Sequence, residues 1–180
     1  DGRNGADIVT LDTPAGADVV TVTPVSADSL DVAVRRVGSG LSLLGVSITN
    51  VPTLGTLALT DAGGGRADLL RVEGTGTDEI FSVTAVGDVQ IFDAGVLPAL
   101  PETMLISTAG ILNVELAGND GDDTFNITGP LPFDSIGVSG GDPSASDVLN
   151  YTAGGDVVID LENGEIDDAA APAIPAVSYV

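Results

Sequence analysis

The sequence predicts an all-β solenoid over residues 1–180, a right-handed parallel β-helix or β-roll-like stack read as a single module, and three observations predict it. Hydrophobic residues make up 43% of the chain, mostly Val, Leu, Ile and Ala, with 3% aromatics, a mixture that favours strands. Twenty-four glycines punctuate the chain, and no stretch between Gly and Pro breaks keeps a helical period. Finally, one motif recurs: an Asp followed by apolar residues two and four positions later. That period places both apolar side chains on one face of a strand, with the Asp where a turn feeds it.

Taken in order, the motif first appears as GADIVTL at Asp7, GADVVTV at Asp18 and SADSLDV at Asp28. The strand candidates VAVRRV and LLGVSIT follow. LALTDAGGGRADLLRV, 57–72, shows the larger unit of strand, Gly/Asp turn, Asp68 and strand. GTDEIFS sets the next copy at Asp78, with Ser82 in place of the second apolar residue. DVQIF and TMLIST lead into LNVELAGNDGDDTFNI, 112–127, with Asp123, and IGVSGGDPSASDVLNY, 136–151, with Asp147. DVVIDL and AVSYV complete the series. Prolines at 97–101 and 130–132 and the Ala/Pro stretch 169–176 mark loops or edges, because proline cannot donate to a ladder.

Internal repetition of this kind suggests coils that bury their apolar faces only against neighbours. The spacing is irregular, however. Asp7, Asp18 and Asp28 lie 11 and 10 residues apart, whereas Asp78 and Asp123 lie 45 apart. Hairpins would also suit it, so an antiparallel β-sandwich is the alternative architecture. Because the chain starts almost on a motif copy and ends on a strand, it reads as a piece excised from a longer repetitive protein.

Charge narrows the function. With 27 acidic residues against 5 Arg, and no Lys or His, the net charge is −22. Nucleic acid and anionic membranes are disfavoured as partners, since phosphate binding needs clustered positive charge, and no apolar run is long enough for membrane insertion as a helix. Without Cys or His there is no zinc or thiolate site and no Ser/His pairing for acyl transfer. Adjacent acids such as Asp122/Asp123 and Asp167/Asp168 point to opposite faces of a strand and do not converge on one bond. Arg35, Arg36, Arg66 and Arg71 read as surface ion-pairing residues.

The stretch AGNDGDDTFNITG, 117–129, crowds Asn119, Asp120, Asp122 and Asp123 around two glycines. Like charges crowded there stay in water or take a cation. Calcium wants six to eight oxygen ligands, which Asp side chains and turn carbonyls supply. The candidate metal ligands are Asn119, Asp120, Asp122 and Asp123, with Asp78, Asp142 and Asp147 in the looser relatives EGTGTDEIF and GGDPSASDVL. Salt adaptation also yields an acidic, lysine-free chain, but here Asp outnumbers Glu 21 to 6 and clusters at Gly-rich turns. Asn126-Ile127-Thr128 and Asn150-Tyr151-Thr152 are sequons on the outward face of two strands.

The stretch GNDGDDTFN resembles the calcium-binding nonapeptide of RTX β-roll proteins, G-G-x-G-x-D-x-U-x with U large and apolar: Gly118, Gly121, Asp123 and Phe125 match, and Asn119 replaces the second Gly. More broadly the chain is similar to repetitive calcium-binding, adhesin-like bacterial surface proteins. The resemblance implies calcium as the cofactor, ligand roles for Asn119, Asp120 and Asp123, and an extracellular, cell-surface location. It also implies a non-catalytic structural module of a surface, adhesin, surface-layer or filament protein. Such a module would associate head-to-tail with itself or with flanking repeats. A carbohydrate-binding or polysaccharide-cleaving module is the alternative, disfavoured by the absence of Trp and the scarcity of Tyr and Phe.

Overall fold

In a computed structural model of the chain, residues 7–26, 29–39, 41–49, 55–61, 68–93, 105–142, 146–160, 164–168 and 176–179 are described. The motif residue Asp28 and the proline-rich stretches 97–101 and 169–175 lie outside them. The described residues form sixteen strands and no helix. The first eight are β1 (Ile8–Thr13), β2 (Asp18–Ser26), β3 (Ser29–Arg36), β4 (Ser42–Ile48), β5 (Thr56–Asp61), β6 (Leu69–Glu73), β7 (Glu79–Val83) and β8 (Val89–Asp93). Then come β9 (Leu105–Ser107), β10 (Asn113–Asp120), β11 (Thr124–Thr128), β12 (Ser135–Asp142), β13 (Val148–Thr152), β14 (Val157–Asp160), β15 (Glu165–Asp168) and β16 (Ala176–Tyr179).

They build two sheets. The first runs β1-β5-β9-β8-β7-β11-β13 and the second β14-β15-β16-β12-β10-β6-β2-β3-β4. Among the described residues eight strand pairings are parallel and six antiparallel. The all-β expectation therefore holds, while the right-handed parallel β-helix or β-roll is corrected: both sheets are mixed, and two sheets sharing one core are consistent with the sandwich alternative, although their strands are not all antiparallel. The antiparallel pairings sit in three places: β2-β3-β4 at one end of the second sheet, β14-β15-β16 at its other end, and β7-β8-β9 inside the first. Period-two alternation cannot foresee this, because an inward/outward pattern is the same for either strand direction.

Outside those antiparallel segments the chain passes from sheet to sheet, and the strands of each sheet pair in parallel. The register aligns Val20, Leu70, Val114, Ile136 and Val177 as one ladder and Val22, Val72, Leu116, Val138 and Tyr179 as another. Opposite them stand Phe81 beside Phe125 and Leu149, and Val83 beside Ile127 and Tyr151. These residues share one core drawn from both sheets. Its only described aromatic pair, Phe81 and Phe125, stacks with centroids 4.7 Å apart. A one-residue slip of any strand would turn its apolar set outward, which fixes the register. At about 1.5–3 kcal/mol for each large side chain buried, the ladders are the main source of stability.

Candidate functional site

Among the connections that carry the chain from the second sheet to the first are those joining β6 to β7, β10 to β11 and β12 to β13. Each has a glycine near the end of its first strand, Gly74 just after β6 and Gly118 and Gly140 two residues before the ends of β10 and β12, and each reaches the next strand at an acid. Glu79 follows Gly74 by five residues, Asp123 follows Gly118 by five, and Asp147 follows Gly140 by seven. The pairings Thr124↔Ile80 and Thr124↔Val148 place Glu79, Asp123 and Asp147 side by side, one residue before those pairs, on three adjacent strands. This column is the candidate site.

Backbone geometry makes the column. Asp123 Oδ1 accepts the Glu79 N–H at 2.9 Å, and Asp147 Oδ1 accepts the Asp123 N–H at 3.0 Å. Each carboxylate thus caps the strand of the preceding turn. The second oxygens fold back over the glycines. A Cβ on Gly74 would lie 2.6 Å from Glu79 Oε2, one on Gly118 would collide with Asp123 Oδ2, and one on Gly140 with Asp147 Oδ2. Gly118 would also meet the Gly140 carbonyl at 2.5 Å. The glycines are required here for space: carboxylates and the next backbone occupy the place of their side chains.

The electrostatics are unfavourable. Asp123 is 0% and Glu79 2% exposed, yet Asp123 Oδ2 and Glu79 Oε2 have no hydrogen-bond partner. Glu79 Oε1 is held by the hydroxyls of Thr75 and, at 2.8 Å, Thr77. Burial pushes the Asp123 carboxyl up from 3.8 to about 6; the Glu79 N–H opposes this, and the charges of Glu79 and Asp147 add to the rise. Two buried, unpartnered carboxylate oxygens need a proton or a cation.

The expected ligands divide among four places. Asp123 and Asp147 share the column. Asp122 lies one residue outward and exposed: its N–H donates to Asp78 Oδ1 at 2.9 Å, and its Oδ1 accepts from Ser146 at 2.5 Å. Asp120 and Asp142 pair across β10 and β12, both exposed. Asn119 has φ +77°, a left-handed conformation Asn tolerates, and donates through Nδ2 to the Gly74 carbonyl at 2.9 Å. Among the described residues no three acidic or other metal-ligating side chains are gathered into a ready metal cluster.

One register needs correction. The motif copy set at Asp78 slips by one residue, because Asp78 is exposed while Glu79, Phe81 and Val83 face inward. The sequence held the signal: counting from Glu79 restores both apolar positions and removes the Ser82 mismatch. Glu79 is the site residue the motif overlooks, since Asp78 and Glu79 suit a turn equally well and only burial separates them.

The opposite edge, where the chain returns to the second sheet, carries its own acids. Asp68, buried, accepts the Asp18 N–H at 2.9 Å and the Thr13 hydroxyl at 2.8 Å. Asp18, also buried, receives Arg36 Nε at 2.7 Å. Arg71 pairs with Glu73 at 3.1 Å. Asn150 Nδ2 donates to Asn126 Oδ1 at 3.0 Å, so the two sequon asparagines form one outward pair. Compared with known family models, curated proteins and solved structures, the chain matches none.

Proposed function

We propose that this chain is a non-catalytic structural module, a short stack of β coils braced along its column edge by calcium, serving an extracellular surface, adhesin or filament protein. The observation that carries the reading is the pair of buried, unpartnered oxygens on Asp123 and Glu79 within an aligned column of three acids. The donors fit a hard cation in kind, for all are oxygens: Asp123 and Glu79 would hold it, with turn carbonyls completing the shell in place of a third carboxylate. Bound there, the ion would supply charge neutralisation and nothing else. The coil-stack reading is supported by the parallel ladders between successive passes, and the structural role by the placement of the described aromatics. Phe81, Phe125 and Phe133 are buried and Tyr151 and Tyr179 pack against the core, which leaves none of these five as a platform for stacking sugar rings.

Thermal unfolding at pH 7.5 in chelator, in millimolar calcium and in magnesium tests it. Calcium at about a hundred times its dissociation constant stabilises the folded state by about 2.7 kcal/mol, a rise of about 5–10 °C for a chain of this size. Magnesium, which demands a stricter octahedral shell, gives less. Equal midpoints in chelator and calcium remove the metal from the proposal.

A further inference from the structure

The column obeys a directional rule. The carboxylate on each strand caps the N–H of the residue beside it on the strand before: Asp123 caps Glu79 and Asp147 caps Asp123, as Asp68 caps Asp18 in the second sheet. Asp147 stands last, one residue before β13, which among the described residues is the edge strand of its sheet. In a parallel ladder alternate residues bond to opposite neighbours. Val148 N–H bonds Asp123 and Thr152 C=O bonds Gly129, both toward β11, so the main-chain groups of Asp147 and Leu149 turn to the open edge.

Among the described residues the other edge of the same sheet is β1. Counting the two reversals at β8, β1 and β13 run in the same direction. The Thr56 N–H bonds the Asp7 carbonyl, so Asp7 and Val9 are turned toward β5, and Ile8 and Thr10 present their main-chain groups outward. Asp7 precedes β1 as Asp147 precedes β13, and its Oδ2 has no hydrogen-bond partner. The spacing Gly2, Gly5, Asp7, Val9 repeats that of Gly118, Gly121, Asp123, Phe125. By sequence β1 is therefore the strand of another such unit.

We propose that the open edge of β13 receives β1 of a second copy of this chain in parallel, with Asp7 beside Asp147, Ile8 beside Val148 and Val9 beside Leu149. In that register Ile8 and Thr10 bond Asp147 and Leu149, the outward sets of the two edges being complementary. Asp7 caps the Asp147 N–H and continues the column. Ile8, 70% exposed, covers Val148, 45% exposed. Half-buried Val9 and Leu11 extend the inward ladders of Leu149 and Tyr151. This proposal deepens the structural reading above and rests on it for its biological sense, though the pairing itself needs no metal.

The chain has no cysteine, so disulfide trapping is clean. Ile8→Cys protein is mixed with Val148→Cys protein at about 0.15 M salt under mild oxidation, with and without calcium. Residues opposed in adjacent strands have Cα atoms about 5 Å apart, within disulfide range. Cross-linking at least tenfold above two controls is expected: Asn150→Cys, which the register places beyond the roughly 7 Å limit, and Val86→Cys, 76% exposed and remote from either edge. All four positions lie on the surface or the outward strand face, so folding is retained. Equal yields across the three mixtures, or none, overturn the docking. Specific cross-links in both chelator and calcium, with an unshifted midpoint, would leave the docking standing and remove the metal. A shifted midpoint without specific cross-links would do the reverse.

Discussion

The two edges of the molecule solve one problem differently. At the edge leading into the second sheet, buried Asp18 meets Arg36 and buried Asp68 meets the Thr13 hydroxyl and the Asp18 N–H, so that each carboxylate is matched. At the edge leading into the first sheet, Asp123 and Glu79 are as deeply buried, and no cation among the described residues reaches them. The same motif is thus complete at one edge and incomplete at the other. A guanidinium is fixed in the fold, whereas a proton or a metal ion comes from solution. The second edge is therefore the one at which a proton or cation from solution can supply the missing partner.

Gly118→Ala should break the unmatched edge most severely. Its Cβ collides with Asp123 Oδ2 and meets the Gly140 carbonyl, which is backbone and cannot turn aside. A loss of about 4 kcal/mol, or roughly 8–16 °C in the melting midpoint, is expected. Gly45→Ala, with open space around it, serves as the control and should leave the midpoint unchanged or slightly raised. Similar losses in both would mean that the column glycines are not constrained by the carboxylates.

Next in size is the Asp123 proton. Its folded pKa of about 6 lies above the ordinary carboxyl value of 3.8, so the folded state binds the extra proton between those values. The stability this gives is fully present below about pH 4 and is lost as pH rises through 6, a fall of about 3 kcal/mol. Asp123→Asn keeps an acceptor for the Glu79 N–H and removes the charge. In chelator at pH 7.5 it should melt higher than the parent, and calcium should no longer raise it. Urea melts across pH 4–8 would contradict this if the two proteins kept parallel profiles.

Arg36→Met acts on the matched edge and should cost about 2 kcal/mol, less than for a fully buried pair because Arg36 is 31% exposed to screening water. Adding Asp18→Asn should restore most of the loss. Neither change should alter the response to calcium. A variant that lost that response would show the two edges to be coupled, and the contrast between them would fail.

Much of this was legible in the residues. Asp, Gly and alternating Val, Leu and Ile specify strands fed by acidic turns, and the inward positions after Asp18, Asp68 and Asp123 are those the motif indicates. Position 119 could be seen as part of a turn, though not that its amide would reach Gly74. Pairing direction was hidden, since β2-β3 and β7-β8-β9 alternate as parallel strands do. Also hidden was the partnership of Asp18 with Arg36, which face each other only because β2 and β3 pair antiparallel. Glu79 was obscured by its neighbour Asp78.

Sequence alone determined that the chain is β-rich, strongly acidic, and punctuated by turns that begin in glycine and end in a carboxylate, because side-chain period and backbone preference are local properties. Only the tertiary structure decided which acids stand together and which of them lack a counter-charge. Burial and strand register are set by contacts between residues far apart in the chain, and they turn equal-looking aspartates into a finished ion pair at one edge and an unsatisfied column at the other.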